Sequence, residues 1–210
     1  LVELYRDYQV RLKQANAVDF GDLLLLTVRL FEEVPAVRQR WQERFSYLLI
    51  DEFQDTNRVQ YRLMQLLVGP ATNLCVVGDD DQSIYRWRGA EVANILGFDE
   101  DFANVRIIRL EQNYRSSRTI LEAATAVVEK NSARRDKQLW TDNPQGELLH
   151  VEAAPDDLDE ARFVAREIVR LQQQGNSLRD MAVFYRTNAQ SRALEEALRA
   201  QRLPYAMLGG

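Results

Sequence analysis

The sequence predicts an α/β fold built on a parallel sheet with flanking helices, and two observations carry that expectation. Two short continuous apolar runs, Tyr47–Ile50 and Leu74–Val77, stop abruptly at acidic residues or at glycine followed by acids. Such runs suit strands buried on both faces, as strands of parallel sheets are. Between and after them, strand-like and helix-like stretches alternate along the chain, which is the pattern of parallel α/β architecture. The 210 residues, 46% apolar and 28% charged, suffice for one globular domain or two small ones.

In order, residues 1–18 are polar and helical, with Leu1, Leu4, Tyr5, Tyr8 and Leu12 at three- and four-residue spacings. A second helix is expected over Leu23–Phe31, after acidic N-cap candidates in Asp19-Phe20-Gly21-Asp22. Pro35 interrupts, and Val37–Phe45 reads as a short helix before the strand Tyr47–Ile50. A helix over Asn57–Leu67 ends near Gly69-Pro70, and the strand Leu74–Val77 closes at Gly78 and three aspartates. A third strand is expected over Val105–Leu110. It leads to Asn113-Tyr114-Arg115-Ser116-Ser117, where either serine can cap a helix over Thr119–Lys130. Residues 131–146, with Arg134, Arg135, Asp136, Pro144 and Gly146, read as an exposed polar loop. Strand Leu148–Glu152, helix Asp157–Gln174 stopped by Gly175, strand Met181–Tyr185, helix Gln190–Gln201 and strand Tyr205–Leu208 complete the order.

Composition excludes several classes. The net charge of −5 argues against a protein that coats nucleic acid by bulk charge. The three lysines, Lys13, Lys130 and Lys137, never follow a glycine, so this chain holds no Gly-Lys-Ser/Thr phosphate loop. One cysteine, Cys75, rules out an internal disulfide, fits a reducing, cytoplasmic setting, and is expected to be buried in its apolar run. His150 is the only histidine, which excludes a histidine-based metal cluster. No run approaches the roughly 18 apolar residues of a membrane span, and these residues read as carrying no signal peptide. The start at Leu1 and the end at Gly209-Gly210 read as cuts in a longer protein.

Chemistry concentrates in four strings. Asp51-Glu52 directly follows a strand, and carboxylates at the carboxyl end of a parallel strand sit where open α/β sheets bind ligands. In nucleotide hydrolases such an aspartate holds Mg²⁺ through water and such a glutamate orients the attacking water. An acidic helix start explains the bare pair equally. Twenty residues beyond Asn57 begins Val77-Gly78-Asp79-Asp80-Asp81-Gln82-Ser83-Ile84-Tyr85-Arg86-Trp87-Arg88-Gly89-Ala90. Aromatics interleaved with arginines suit nucleic acid, because bases stack on rings and guanidiniums contact phosphate. A core tryptophan is the alternative for Trp87. At the next junction Arg115 can meet phosphoryl charge and Tyr114 can stack on a base, although an exposed capping turn accounts for both. Tyr185-Arg186-Thr187-Asn188 offers hydrogen-bonding groups suited to a nucleic-acid backbone.

Together these strings, ordered and spaced from about Asp19 to Gly210, resemble the UvrD/PcrA/Rep-type DNA helicases of superfamily 1. The resemblance implies parts of two RecA-like parallel-sheet motor domains, with ATP in the cleft between them and single-stranded DNA across their tops. It implies ATP-driven 3′-to-5′ movement on single-stranded DNA and separation of duplexes at single-strand/duplex junctions. Asp51 then corresponds to the Mg²⁺-associated acid, Glu52 to the water-activating base and Gln82 to the sensor of the terminal phosphate. Tyr85, Trp87 and Arg88 match the DNA-contacting segment, with Trp87 as the base-stacking ratchet. Tyr114 corresponds to the aromatic against adenine, Arg115 to the γ-phosphate arginine, and Arg186 and Asn188 to a further strand-tracking motif. Residues 1–18 would end an inserted helical subdomain, 19–108 form the later half of the first motor domain, and 109–210 the earlier half of the second.

The family's phosphate loop, its early adenine-reading glutamine and its late motifs fall outside these residues. The chain alone is therefore expected to hydrolyse ATP negligibly, and the rest of the helicase is required to complete the site. A helicase–nuclease subunit of the same superfamily and a non-catalytic DNA- or protein-binding scaffold are the alternatives.

Overall fold

The computed structural model describes residues 2–131 and 134–208, so Leu1 and Gly209-Gly210 lie outside the described residues. By contact, the chain divides into two units, residues 1–147 and 148–210.

The first unit opens with α1 (Val2–Gln14), which buries none of its residues. α2 (Phe20–Glu33) begins in a reciprocal capping box: Asp19 accepts from the Asp22 N–H at 2.7 Å, and Asp22 accepts from the Asp19 N–H at 3.4 Å. α3 (Pro35–Arg44) starts on proline, whose fixed φ suits a first helical turn. α4 (Arg58–Leu67) is capped by Asn57, whose Oδ1 accepts from Val59 and Gln60 at 3.0 and 2.9 Å. Val28 and Phe31 of α2 pack with Leu66 of α4, and Trp41 and Leu63 close around them. The Gln42 amide donates to the carbonyls of Leu66 and Val68, satisfying groups that the end of α4 leaves open.

β1 (Tyr47–Ile50) and β2 (Asn73–Val76) pair in parallel, from Tyr47 against Asn73 to Ile50 against Val76, with α4 as the crossover. Ile50, Leu74 and Val76 face a core of Phe53, Tyr61 and Met64, joined by Ile95 of α5 (Ala93–Leu96) and Phe98 of α6 (Phe98–Asp101). The opposite face, with Tyr47, Leu49 and Cys75, is exposed. Burial on both faces, and with it a buried Cys75, was the expectation. The pleat sends alternate side chains to opposite faces, and no described residue covers the second face.

Four expected strands, Val105–Leu110, Leu148–Glu152, Met181–Tyr185 and Tyr205–Leu208, carry no ladder pairing among the described residues. A strand exists only where a neighbour takes its N–H and C=O groups. Here the apolar side chains stay open to solvent, Leu110, Val151 and Phe184 among them. The isolated parallel bridge between Gln112 and Trp140 instead ties the 111–113 segment to the 138–141 loop. α7 (Arg118–Val128) follows Ser117, but neither serine side chain caps it. The carbonyls of Pro144 and Gln145 accept from Arg118 and Thr119 at 3.1 and 3.0 Å.

The second unit packs α8 (Asp157–Gln173) against α9 (Asn188–Ala200). Ala161 and Ala165 are buried on α8, small side chains that allow close helix approach, and Gly175 at φ 96° ends that helix. No helix among the described residues is long and apolar enough to cross a membrane.

Candidate functional site

The site grows from the carboxyl ends of the two strands. Asp51 and Glu52 are both exposed, immediately after β1. Glu52 adopts left-handed backbone, φ 50° and ψ 42°, and its N–H donates to the Asp51 carboxylate at 2.9 Å. Non-glycine residues held in that region are strained and concentrate at functional sites. Behind them Gln54 is 1% exposed. Its amide nitrogen donates to Glu52 Oε2 at 2.7 Å, and its amide oxygen accepts from the Asp79 N–H at 3.0 Å. A primary amide is suited to this bridge, since it offers a donor to a carboxylate and an acceptor to a backbone N–H at once. Gly78 makes room: a Cβ there would stand 2.6 Å from Gln54 Oε1 and 3.1 Å from the Phe53 nitrogen. Nearby, burial and the Glu52 charge push the Asp55 carboxyl above its usual range.

After β2, Asp79 caps the tight turn Asp80–Gln82. Its carboxylate accepts from the Asp81 N–H at 3.1 Å and from the Gln82 side-chain amide at 2.8 Å. The three aspartates are not free acids. The Lys137 ammonium is paired with Asp79, with Asp81 at 2.9 Å and with Asp80 at 3.6 Å. Arg134 forks onto Asp81 at 3.1 and 2.9 Å. The Arg135 N–H donates to Asp80 at 2.9 Å, while its guanidinium reaches Asp99 and the Leu96 carbonyl. Burial pushes the Asp81 carboxyl up, but the hydrogen bonds from Arg134 and Lys137 outweigh it and hold the carboxyl below its ordinary range. Burial pulls the Lys137 ammonium the other way, and its bonds to Asp79 and Asp81 overcome that and raise it. One expectation changes as a result: residues 134–137 are a docked cationic clamp and not an exposed loop, with Asp79–Asp81 paired to its cations. Among the described residues no three acidic, histidine or cysteine side chains converge as a metal site.

The aromatic–arginine string leaves this turn directly. Trp87 is 68% exposed, which rejects a core role for it. The Arg88 guanidinium lies over both the Tyr85 and Trp87 rings, at 5.4 and 4.7 Å from their centroids. Tyr85 and Trp87 stand 6.3 Å apart. The loop is anchored by a bridge between Asn57 and Ala90 and by the Glu91 N–H donating to the Thr56 carbonyl at 3.1 Å. Exposed rings on a fixed backbone form a surface on which a flat base can lie.

At the third string, Asn113 Oδ1 accepts from the N–H groups of Arg115 and Ser116, and Tyr114, 78% exposed, donates to Gln112 at 2.6 Å. Arg115 is exposed. In the second unit Arg186 and Asn188 are exposed at the start of α9, where the Gln190 side chain accepts from the N–H groups of Arg186 and Thr187. Hydrogen bonds thus bring Asp51, Glu52 and Gln82 into one network, with Tyr85, Trp87 and Arg88 on the same stretch of chain. Tyr114 and Arg115 make no direct hydrogen bond to Glu52 among the described residues. Sequence reasoning missed Gln54, Arg134 and Lys137. The available signal was charge complementarity between Asp79-Asp80-Asp81 and Arg134-Arg135-Asp136-Lys137.

Comparison with known proteins identifies the family. The UvrD/REP helicase N-terminal domain family matches residues 1–103, and the UvrD-like helicase C-terminal domain family matches residues 108–210. The ATP-dependent DNA helicase PcrA of Staphylococcus aureus (strain Mu50) is 51% identical over 207 residues, 99% of this chain. The PcrA of Staphylococcus epidermidis (strain ATCC 35984) is 48% identical over the same length. The chain spans 28% of the length of these relatives. With its two halves matched in order by the two domains of one enzyme family, the chain belongs to the UvrD/PcrA-type DNA helicases.

Proposed function

We propose that the intact protein is an ATP-dependent helicase that moves 3′ to 5′ along single-stranded DNA, with this chain supplying parts of two RecA-like motor domains. Residues 1–18 end an inserted helical subdomain, 19–108 belong to the first motor domain and 109–210 to the second. The four unpaired apolar stretches become strands when the rest of the protein provides neighbours. One observation carries the reading: the buried Gln54 amide joins Glu52 to the turn of Asp79 and Gln82 at the carboxyl ends of two parallel strands, where open α/β sheets take their ligands.

The donor set fits a magnesium nucleotide. Asp51 is an exposed carboxylate beside Glu52, and a hard cation held by one carboxylate takes its remaining oxygens from phosphate and water. Bound Mg²⁺–ATP supplies the γ-phosphoryl group to be transferred to water. Glu52 orients that water and takes its proton, and the Gln54 bond keeps the carboxylate aimed. Gln82 senses the terminal phosphate, Arg115 stabilises the charge developing on it, and Tyr114 stacks on adenine. Tyr85, Trp87 and Arg88 grip bases of the single strand, while Arg186 and Asn188 hold its backbone.

Strand separation by the intact protein tests the assignment. With ATP it should unwind a duplex carrying a 3′ single-stranded tail and leave a 5′-tailed duplex intact. Absence of both unwinding and DNA-stimulated hydrolysis would replace the motor by a binding scaffold.

A further inference from the structure

We propose that Arg134 and Lys137 are positioning residues for ATP hydrolysis: they fasten the Asp79–Gln82 turn and keep Gln82, Gln54 and Glu52 in register without touching nucleotide. The inference rests on the motor reading above.

Three consecutive carboxylates occupy one tight turn, and the side chains of Asp80 and Asp81 are only 7% and 6% exposed. Like charges taken out of water repel strongly and persist only when paired. Lys137, itself 14% exposed, reaches all three, and Arg134 adds a two-pronged bond to Asp81. Asp79 is the junction. Its carboxylate holds Lys137, the Asp81 N–H and the Gln82 amide, while its own N–H binds Gln54, which in turn binds Glu52. Removing the cations leaves buried carboxylates uncompensated, so the turn must open to water. Gln82 then loses its oriented acceptor, and Gln54 loses one of the two bonds that aim Glu52.

The clamp also spans the two family domains. Its cations lie in the segment matched by the C-terminal domain family and its acids in that matched by the N-terminal one. The same loop continues to Trp140, which exchanges backbone hydrogen bonds with Glu111 and Asn113 at 2.9 and 2.7 Å. Asn113 in turn fixes the backbone of Arg115. A run of backbone and charge-assisted bonds therefore leads from the Arg115 segment to Glu52.

The test uses the full-length protein carrying Lys137→Met, Arg134→Gln, Lys137→Arg or Glu52→Gln, with ATPase measured with and without single-stranded DNA. Lys137→Met and Arg134→Gln should each lower kcat about 10- to 100-fold while KM for ATP and the Kd for DNA stay within about threefold, because misplacement of catalytic groups acts on the transition state. Lys137→Arg, which keeps the charge, should restore at least roughly a third of kcat. An unchanged kcat, a rise in KM alone, or a loss that Lys137→Arg fails to rescue overturns the proposal. Should Lys137→Met fail to fold, Arg134→Gln and Lys137→Arg decide the matter by the same readouts. Glu52→Gln separates the two levels: if it leaves hydrolysis intact the motor reading fails, and if it alone abolishes hydrolysis only the positioning role fails.

Discussion

Replacing Gly78 by alanine probes the tightest point of the site. The backbone there is not left-handed, so alanine's lower freedom in the unfolded chain would by itself stabilise by about 0.4–1 kcal/mol. The native packing opposes this. The new Cβ would lie 2.6 Å from Gln54 Oε1, 2.8 Å from Ile95 Cδ1 and 3.1 Å from the Phe53 nitrogen. Ile95 can rotate away, but the Phe53 nitrogen is backbone already bonded to the Val77 carbonyl at 2.9 Å. Gln54, 1% exposed, moves only by surrendering Glu52 or Asp79. Overpacking costs about 1–3 kcal/mol and a broken buried hydrogen bond about as much again, so after the entropic gain the net local loss is about 1–5 kcal/mol. Amide exchange in peptides covering residues 51–56 and 77–83 of the intact protein should accelerate roughly 5- to 4,000-fold, with α8 as an unchanged internal control. Equal or slower exchange at those amides would show that Gln54 is not wedged between the strand ends and does not relay position to Glu52.

The same geometry has consequences for DNA binding, for acid stability and for the isolated chain. Trp87→Ala should weaken single-stranded DNA binding of the intact protein by about 1–3 kcal/mol, measured by fluorescence anisotropy, and unchanged affinity in a folded variant would remove the stacking role. Asp81 has a folded-state pKa below its unfolded value, so its stabilising contribution is present above about pH 4 and lost as pH falls through the folded value. Protection of the 79–83 amides, corrected for intrinsic exchange, should therefore hold from about pH 8 to 5 and fail in acid, and Arg134→Gln should move that failure to higher pH. The 210-residue chain by itself, which has no glycine–lysine pair, should hydrolyse ATP negligibly in a coupled assay. Turnover approaching that of the intact protein would contradict the need for an added phosphate loop.

Local signals were legible where a residue's partner lies close in sequence. Asp19 caps its helix through a bond to Asp22, three positions on, and β1 and β2 follow from apolar runs next to acids. The four unformed strands show the limit. An apolar run such as Leu148–Glu152 reports a tendency to be buried, but pairing depends on a neighbour that local composition does not name. Gln54 and Lys137 were missed for a related reason: their decisive partners lie 25 and 58 residues away, and polar contacts at that range leave no periodicity. Asp51, Glu52, Gln82, Trp87 and Arg88 were singled out by motif, and the fold adds how Gln54 and the clamp join or brace them.

The role of Glu52 is tested most directly by single-turnover hydrolysis of ATP in the intact protein carrying Glu52→Gln, with nucleotide and single-stranded DNA bound beforehand. If Glu52 is the base that activates water, ATP should bind within about threefold of the unsubstituted affinity while cleavage slows at least about 100-fold, the scale of general-base catalysis. Cleavage at an undiminished rate from the bound state would contradict the assignment of Glu52 and the motor built around it.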